Sequence, residues 1–186
     1  GLDDIEIWIH TCWGNPNMQK VFSDESYANS MEIYLERLKG DVWTIEATEN
    51  DFRELGLFDS YKDRLKKKIA VGVISHRTLQ ADFPNVIADR VRRCLKHIPA
   101  DKLVLSTDCG FGRQGFNRHL AFFKTVGIPM ARNIILKELG LPVVIHQRQA
   151  LHETLAVLEE MRPAAGGVLH CFDDGLEVVE RAHALG

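Results

Sequence analysis

The chain has 186 residues, of which 45% are hydrophobic and 26% charged, and its formal net charge is −3. This length supports one domain with a substantial core, and the composition is that of an ordinary globular protein. A chain with this small negative charge lacks the extended positive potential that is typical of nucleic-acid-binding proteins, so no nucleic-acid partner is expected. Four cysteines do not make a disulfide scaffold in a chain this long, and no apolar run reaches membrane-spanning length. We therefore expect a cytoplasmic protein with reduced thiols.

Strands alternate with helical segments over the first 139 residues. The alternation and β-branched content predict strands at 5–9, 41–45, 69–74 and 102–106. A helix is predicted at 26–39, a polar and partly helical segment at 52–67, and a helix from Pro84 that Pro99 ends. A further helix is expected over 117–139, where Gly127 and Pro129 should break or kink it.

The same alternation repeats towards the end of the chain, with strands at 142–145 and 167–169 and helices at 151–161 and 176–185. Such alternation predicts βαβ units and a parallel sheet. Each strand end carries a possible ligand or acid: His10 with Cys12, Glu46, His76, Cys109, His146 and His170. Candidates on every strand favour a barrel over a doubly wound sheet. The predicted fold is α/β, a partial TIM-barrel-like arrangement of about six βα units.

Four of these strand-end residues can form a zinc site if the first, second and fourth strands border one cavity. They are His10, Cys12, Glu46 and Cys109. Thiolate and imidazole donors suit Zn²⁺, and a glutamate is a weak fourth ligand that an incoming thiol can replace. Zinc would then hold that thiol as a thiolate at neutral pH. This mixed set of ligands favours sulfur alkylation over the activation of water.

Simpler interpretations of the same residues remain open. The two cysteines can be small buried apolar residues, since free cysteine is often buried. Glu46 can serve as a helix cap or in a salt bridge, and His76 can equally be a histidine of a surface loop.

Residues 5 to about 125 resemble the C-terminal catalytic region of cobalamin-independent methionine synthase. The resemblance rests on four segments: His10-Thr11-Cys12, Thr44-Ile45-Glu46, Gly72-Val73 followed by His76, and Asp108-Cys109-Gly110. It implies that His10, Cys12, Glu46 and Cys109 bind zinc and that His76 assists proton movement. It also implies the second half of a (β/α)₈ barrel.

The same resemblance implies a role in methionine biosynthesis, with homocysteine or a similar thiol as substrate and 5-methyltetrahydrofolate as a possible methyl donor. The superfamily also contains enzymes that alkylate other thiols, such as coenzyme M.

The chain departs from the pattern of this family in two respects. The usual Asp-x-His-Ser-Pro context reads Ile74-Ser75-His76-Arg77 here, and the barrel half that supplies most substrate groups has no counterpart in the matched segment.

Residues from about 139 to 186 resemble a different family, the TatD-like metal-dependent hydrolases, many of which are deoxyribonucleases. The matching segments are 141–146, with Arg148, and 167–172. The resemblance implies that His146 and His170 bind a divalent metal. Gln149 stands where an acid is usual, and Asp173-Asp174 where Ser-Gly is common. An alternative function is therefore metal-dependent hydrolysis of phosphodiesters.

Two families in one chain predict two regions, a methionine-synthase-like half barrel at 1–125 and a TatD-like segment at 126–186 that can pack in the same sheet. We place the junction between Lys124 and Leu141. A third interpretation is a catalytically incomplete fragment, which would act as an oligomer or as the partner of a missing barrel half.

Overall fold

The computed structural model describes residues 5–14, 25–112, 115–140, 143–146, 155–156, 159, 167–170, 180 and 184. The chain divides into two compact units, residues 1–132 and 133–186. Four parallel strands in the first unit form a sheet in the order β1-β2-β3-β4: Trp8–Thr11 (β1), Val42–Ile45 (β2), Lys68–Ile74 (β3) and Leu103–Thr107 (β4). Two parallel strands in the second unit pair with each other: Val143–His146 (β5) and Gly167–His170 (β6).

The prediction of an α/β fold with parallel strands is confirmed. Each of the six predicted strands is present, although β1 begins three residues later than the alternating pattern at 5–9 suggested. The described strands form one sheet of four strands and one of two.

The core of the first unit lies around the two central strands. Every residue of β2 is buried, as is β3 from Ile69 onwards, because a central parallel strand is covered on both faces. Helix α1 (Pro84–Leu95) packs on β3 and β4 through buried residues such as Ile87 and Val91. It begins at a proline in the first turn, as predicted.

The segment that follows the first strand differs from the expected helix at 26–39. It consists of a 3-10 turn at Ala28–Ser30 and a π-helical turn at Ile33–Arg37, with residues 31–32 in α conformation. Tyr27 and Tyr34 both pack on the ring of Trp43, with centroid distances of 5.5 and 4.9 Å. This aromatic packing joins the segment to β2, so tertiary contacts rather than helix propensity set its local shape.

Two further helical segments complete the description. Residues 52–67 were expected to be helical or irregular, and a 3-10 helix covers Arg53–Arg64. Helix α2 (Arg118–Leu139) continues without a break through Pro129, so of the two expected effects, a break or a kink, the break is wrong. The expected helices at 151–161 and 176–185 lie largely outside the described residues. No helix in the described part of the chain combines the length and apolarity needed to cross a membrane.

Candidate metal site and adjoining buried cluster

The candidate residues gather at the carboxyl ends of the four strands of the first sheet. His10 lies in β1, and Cys12 directly follows that strand. Glu46 directly follows β2. His76 comes two residues after the end of β3, and Cys109 comes two residues after the end of β4. Parallel strands bring their carboxyl ends to one edge of the sheet. Residues that are as far apart in sequence as Cys12 and Cys109 therefore meet in one place.

Three soft donors converge at this edge. One ligand atom each from His10, Cys12 and Cys109 lies within 4.8 Å of the other two, with His10 exposed, Cys12 half-buried and Cys109 buried. The Nε2 of His10 is 3.4 Å from the Sγ of Cys109. In a tetrahedral zinc site, ordinary Zn–S and Zn–N bond lengths place such a sulfur and nitrogen about 3.6 Å apart. The spacing of this pair is therefore close to that of two ligands of one zinc ion.

His10 and Cys109 meet although their strands are not neighbours. β1 and β4 are the two outer strands of the four, and in a flat sheet such strands lie about 14 Å apart. The 3.4 Å contact between the two side chains therefore brings the end of β1 and the loop after β4 much closer together than a flat sheet would. This approach turns separate strand ends into one site.

The surroundings of His10 favour the form of the ring that binds metal. Desolvation lowers the pKa of the imidazole, and the nearby negative charge of Glu46 opposes that shift. The net direction is downward, so the neutral ring is favoured, and neutral imidazole is the form that coordinates a metal.

Glu46 lies beside the three donors, outside the group that they form. Its Oε2 accepts the backbone N–H of Trp13 at 3.1 Å, and its Oε1 accepts Nη2 of Arg77 at 3.1 Å. Of the four expected ligands, His10, Cys12 and Cys109 therefore converge. The fourth, Glu46, lies next to them with its carboxylate paired to Arg77. The interpretation of Glu46 as a salt-bridged residue, which the sequence left open, describes this arrangement.

A second cluster lies under the strand ends. One atom each from Glu46, His76 and Asp108 lies within 4.8 Å of the other two, and all three residues are buried. His76 has 0% of its surface exposed, which excludes the interpretation of a surface-loop histidine. It stands next to two carboxylates, an environment that suits a residue that transfers protons.

Asp108 is the second carboxylate of this cluster. Its Oδ1 accepts the backbone N–H groups of Ala47 and Thr48 at 2.8 and 3.1 Å, whereas its buried Oδ2 has no hydrogen-bond partner among the residues that the structure describes. Burial raises the pKa of Asp108 to about 7, against the lowering effect of the two N–H donors. The side chain thus ties the end of β4 to the loop that follows β2.

Sequence reasoning missed two members of this region, Arg77 and Tyr27. Arg77 appeared only as a departure from the expected motif, yet its side chain is 7% exposed and paired with Glu46. The hydroxyl of Tyr27 accepts the N–H of Glu46 at 3.1 Å and donates to the carbonyl of Thr11 at 3.3 Å. Tyr27 lies away from the strand ends. Arg77 follows His76 in the loop after β3, but an arginine is neither a metal ligand nor an acid, so the strand-end pattern gave no signal for either residue.

The second candidate pair, His146 and His170, ends the two strands of the second unit. The two residues are direct register partners in the parallel pairing of β5 and β6. Their side chains lie outside the described part of the structure, as does Cys171.

Comparison with known proteins assigns most of the chain to one family. Residues 2–126 match the family model described as "Cobalamin-independent synthase, Catalytic domain". Residues 135–186 match a second, shorter model described as "TatD related DNase". The two matches do not overlap, and each contains one of the two candidate metal sets.

Individual relatives agree with the first match. The chain is 22% identical over 136 residues to a methionine synthase of Thermococcus kodakarensis, covering 73% of this chain and 35% of that protein. It is 25% identical over 134 residues to a 2-hydroxypropyl-CoM lyase of Xanthobacter autotrophicus, covering 59% of this chain and 36% of that protein. The chain thus spans about a third of the length of these relatives.

A solved structure shows the same fold. It is a B12-independent methionine synthase from Shewanella sp. W3-18-1 in complex with selenomethionine, with a TM-score of 0.60 at 23% identity. The match covers 74% of this chain and 41% of that chain.

Proposed function

The chain belongs, through residues 2–126, to the family of cobalamin-independent synthase catalytic domains, and on this premise we propose that it takes part in zinc-dependent transfer of a methyl or alkyl group to a thiol. The observation that carries the proposal is the convergence of His10, Cys12 and Cys109 within 4.8 Å. Two sulfurs and one nitrogen form a soft donor set that prefers zinc to the hard cations that carboxylates and carbonyls bind.

Three protein donors leave one position of a tetrahedral ion for substrate. When bound, zinc supplies a Lewis acid that lowers the pKa of a coordinating thiol, so that the nucleophilic thiolate is present at neutral pH. The partial exposure of His10 and Cys12, beside a buried Cys109, leaves this position accessible to a small thiol.

We take homocysteine or a similar thiol as the substrate and 5-methyltetrahydrofolate as the proposed methyl donor. Relatives named methionine synthase and 2-hydroxypropyl-CoM lyase support a thiol substrate. Because the chain spans about a third of their length, we propose that groups holding the donor lie on another barrel half. Within this chain we propose residues 1–125 as the zinc half barrel and residues 126–186 as a separate TatD-like segment.

His76 is the proposed proton-handling residue. In the reaction an S–C bond forms while the bond between the methyl group and its donor breaks, and the thiol proton becomes available to the leaving group. His76 is buried beside the carboxylates of Glu46 and Asp108. One atom of each carboxyl group lies within 4.8 Å of a ring nitrogen of His76, so we propose that His76 relays the thiol proton through this cluster, to solvent when no methyl donor is bound and to the leaving group when one is.

Proton release tests the proposed function without the methyl donor. Zinc-loaded protein is mixed with homocysteine in a weakly buffered solution that contains a pH indicator. We expect about one proton released per metal site, because the thiol binds as thiolate, and none with homoserine. Loss of the release in Cys109→Ser, with retention in Cys171→Ser, would support the assignment. Homocysteine binding without any proton release would refute thiol activation.

A second candidate function concerns residues 135–186, which match the TatD related DNase model. The observation that favours it is the register pairing of His146 with His170 at adjacent strand ends. A phosphodiesterase activity that depends on Mg²⁺ or Mn²⁺, is lost in His146→Ala and His170→Ala, and persists in Cys12→Ser would establish it. Loss of the phosphodiesterase activity in Cys12→Ser, but not in His146→Ala or His170→Ala, would assign the activity to the three-donor site instead.

A further inference from the structure

Both oxygens of the Glu46 carboxylate are occupied by donors that come from outside the three-donor metal group. Oε1 accepts Nη2 of Arg77 and Oε2 accepts the backbone N–H of Trp13, each at 3.1 Å. The pair is desolvated, since the side chains of Arg77 and Glu46 are 7% and 2% exposed. Charged hydrogen bonds in such surroundings are strong and fix geometry.

Arg77 is itself held in place by several neighbours. Its backbone N–H donates to the hydroxyl of Ser75 at 3.0 Å, and its Nη2 also donates to the carbonyl of Gly14 at 3.1 Å. Its Nε lies 3.7 Å from Glu49, which also accepts the hydroxyl of Ser75. The guanidinium therefore has one fixed position, between the carboxylates of Glu46 and Glu49.

These contacts connect Arg77 to the loop that carries a metal donor. Trp13 and Gly14 directly follow Cys12 in the chain, and they contact Glu46 and Arg77 through the Trp13 N–H and the Gly14 carbonyl. The carboxylate of Glu46 thus lies beside the loop that carries Cys12, outside the group of three converging donors. For Glu46 to become a metal ligand, its carboxylate must move towards the three donors, and the hydrogen bonds from Arg77 and Trp13 oppose that movement.

We propose that Arg77 is a positioning residue that holds Glu46 beside the metal rather than on it, and so keeps the fourth metal position available to the substrate thiol. The inference rests on the proposed zinc site. Arg77 then sets the balance between two states, one in which the Glu46 carboxylate binds the metal and one in which that metal position is open. A shorter or neutral side chain at position 77 favours the state in which the carboxylate binds the metal.

Metal affinity gives a test that does not depend on catalytic activity. Zn²⁺ and Co²⁺ dissociation constants are measured by chelator competition for the wild type and for Arg77→Gln. We expect Arg77→Gln to bind either ion about tenfold more tightly. This change has the size of the smaller losses that follow substitution of outer-shell partners of a metal ligand, and it has the opposite sign because Arg77 holds Glu46 away from the metal. The visible spectrum of bound Co²⁺ should change as the carboxylate replaces solvent, and homocysteine should bind more weakly.

Glu46→Gln supplies the control that separates positioning from a general structural role. An amide keeps the contact with the N–H of Trp13 but is a poor metal ligand, so adding Arg77→Gln to Glu46→Gln should leave the metal affinity unchanged. Arg90→Gln is the matched variant elsewhere, since Arg90 pairs with Asp82 at 3.0 Å and donates to the carbonyl of Val73 at 2.8 Å. It should lower stability without changing metal affinity.

The possible outcomes are distinguishable. An unchanged metal affinity in Arg77→Gln, or an increase that persists in the Glu46→Gln background, overturns the inference while the zinc site stands. A wild-type protein that binds no metal overturns the proposed function together with it. Should Arg77→Gln fail to fold, Arg77→Lys takes its place, because it keeps the charge but not the reach to both Glu46 and Gly14. It should show a smaller increase in affinity of the same sign, and no increase overturns the inference.

Discussion

The main chain of Asp108 lies directly against Gly72 of β3. A Cβ added at Gly72 would stand 2.7 Å from the Cα and 2.8 Å from the backbone nitrogen of Asp108. The backbone N–H of Asp108 also donates to the carbonyl of Ile74 at 3.0 Å. Glycine at position 72 therefore allows the end of β4 to approach β3, and this approach places Cys109 at the metal site.

Gly72→Ala should destabilise the protein by about 2–3 kcal/mol, because rigid main chain on the opposite side cannot move away from the added methyl group. Urea unfolding followed by circular dichroism measures the loss. Gly56→Ala is the matched control, since a Cβ there meets no atom within 4 Å, and it should be neutral or slightly stabilising. Equal effects of the two substitutions would show that the close approach at Gly72 does not matter.

Helix α2 passes Gly127 and Pro129 without a break, and packing explains the glycine. A Cβ at Gly127 would lie 2.7 Å from Cδ1 of Ile87 on α1 and 3.3 Å from the carbonyl oxygen of Asp82. The hydroxyl of Thr125 donates to the carbonyls of Ala121 and Phe122, each at 3.0 Å. Such back-bonding is compatible with a helix that bends rather than ends.

Gly127→Ala should therefore cost stability, by about 1 kcal/mol, although alanine is the better helix former. Ile87→Val removes the Cδ1 atom that the new methyl group would meet. In a double-mutant cycle the combined variant should be more stable than the sum of the single effects predicts, by at least about 0.5 kcal/mol. Strict additivity would contradict the close packing of α1 against α2 at this point.

The strand ends, and hence most of the candidate residues, were predictable from sequence because apolar alternation marks strands and parallel strands share one carboxyl edge. The partners of those residues were not. Glu46 pairs with Arg77, 31 positions away in sequence, and nothing local in either residue indicates the other. The turns at Ala28–Ser30 and Ile33–Arg37 also escaped prediction, because the ring of Trp43, which lies in another element, fixes them.

The hydroxyl of Tyr27 joins Thr11, the last residue of β1, to Glu46, which follows β2. The residue is 3% exposed, and burial raises the pKa of its phenol well above the ordinary value. Tyr27→Phe would leave the N–H of Glu46 and the carbonyl of Thr11 without this partner, so we expect a loss of about 1–2 kcal/mol in unfolding free energy. Tyr61→Phe, whose ring lies beneath Arg64, should change stability by less than about 0.5 kcal/mol. Similar effects at both positions would argue against the bridging role.

The buried Lys124 should make the free energy of unfolding depend on pH. The side chain has 0% exposure, and its Nζ donates to the carbonyl of Gln80 and to the Thr78 hydroxyl. Desolvation lowers the pKa of Lys124 below its ordinary value of 10.5, with Asp82 and Glu49 opposing the shift and Arg90 adding to it. Between the native pKa and 10.5 the unfolded state binds more protons, so stability from this group rises with pH.

The comparison that isolates Lys124 is the unfolding free energy of wild type and Lys124→Met at pH 7.5 and at pH values approaching 10. Other groups titrate alike in both proteins and cancel. The wild type should gain stability relative to the variant as pH increases, because only the wild type loses a buried charge. A difference that stays constant or decreases with pH would contradict a lowered pKa at Lys124.

Metal content combined with X-ray absorption at the zinc edge tests most directly whether His10, Cys12 and Cys109 form one zinc site. We expect about one zinc per chain, with two sulfur neighbours at about 2.3 Å and one imidazole nitrogen at about 2.0 Å. Cys109→Ser should lose the metal, whereas Cys171→Ser should retain it. Zinc retained at full stoichiometry in Cys109→Ser, or a coordination shell without sulfur, would show that these three residues do not form the site.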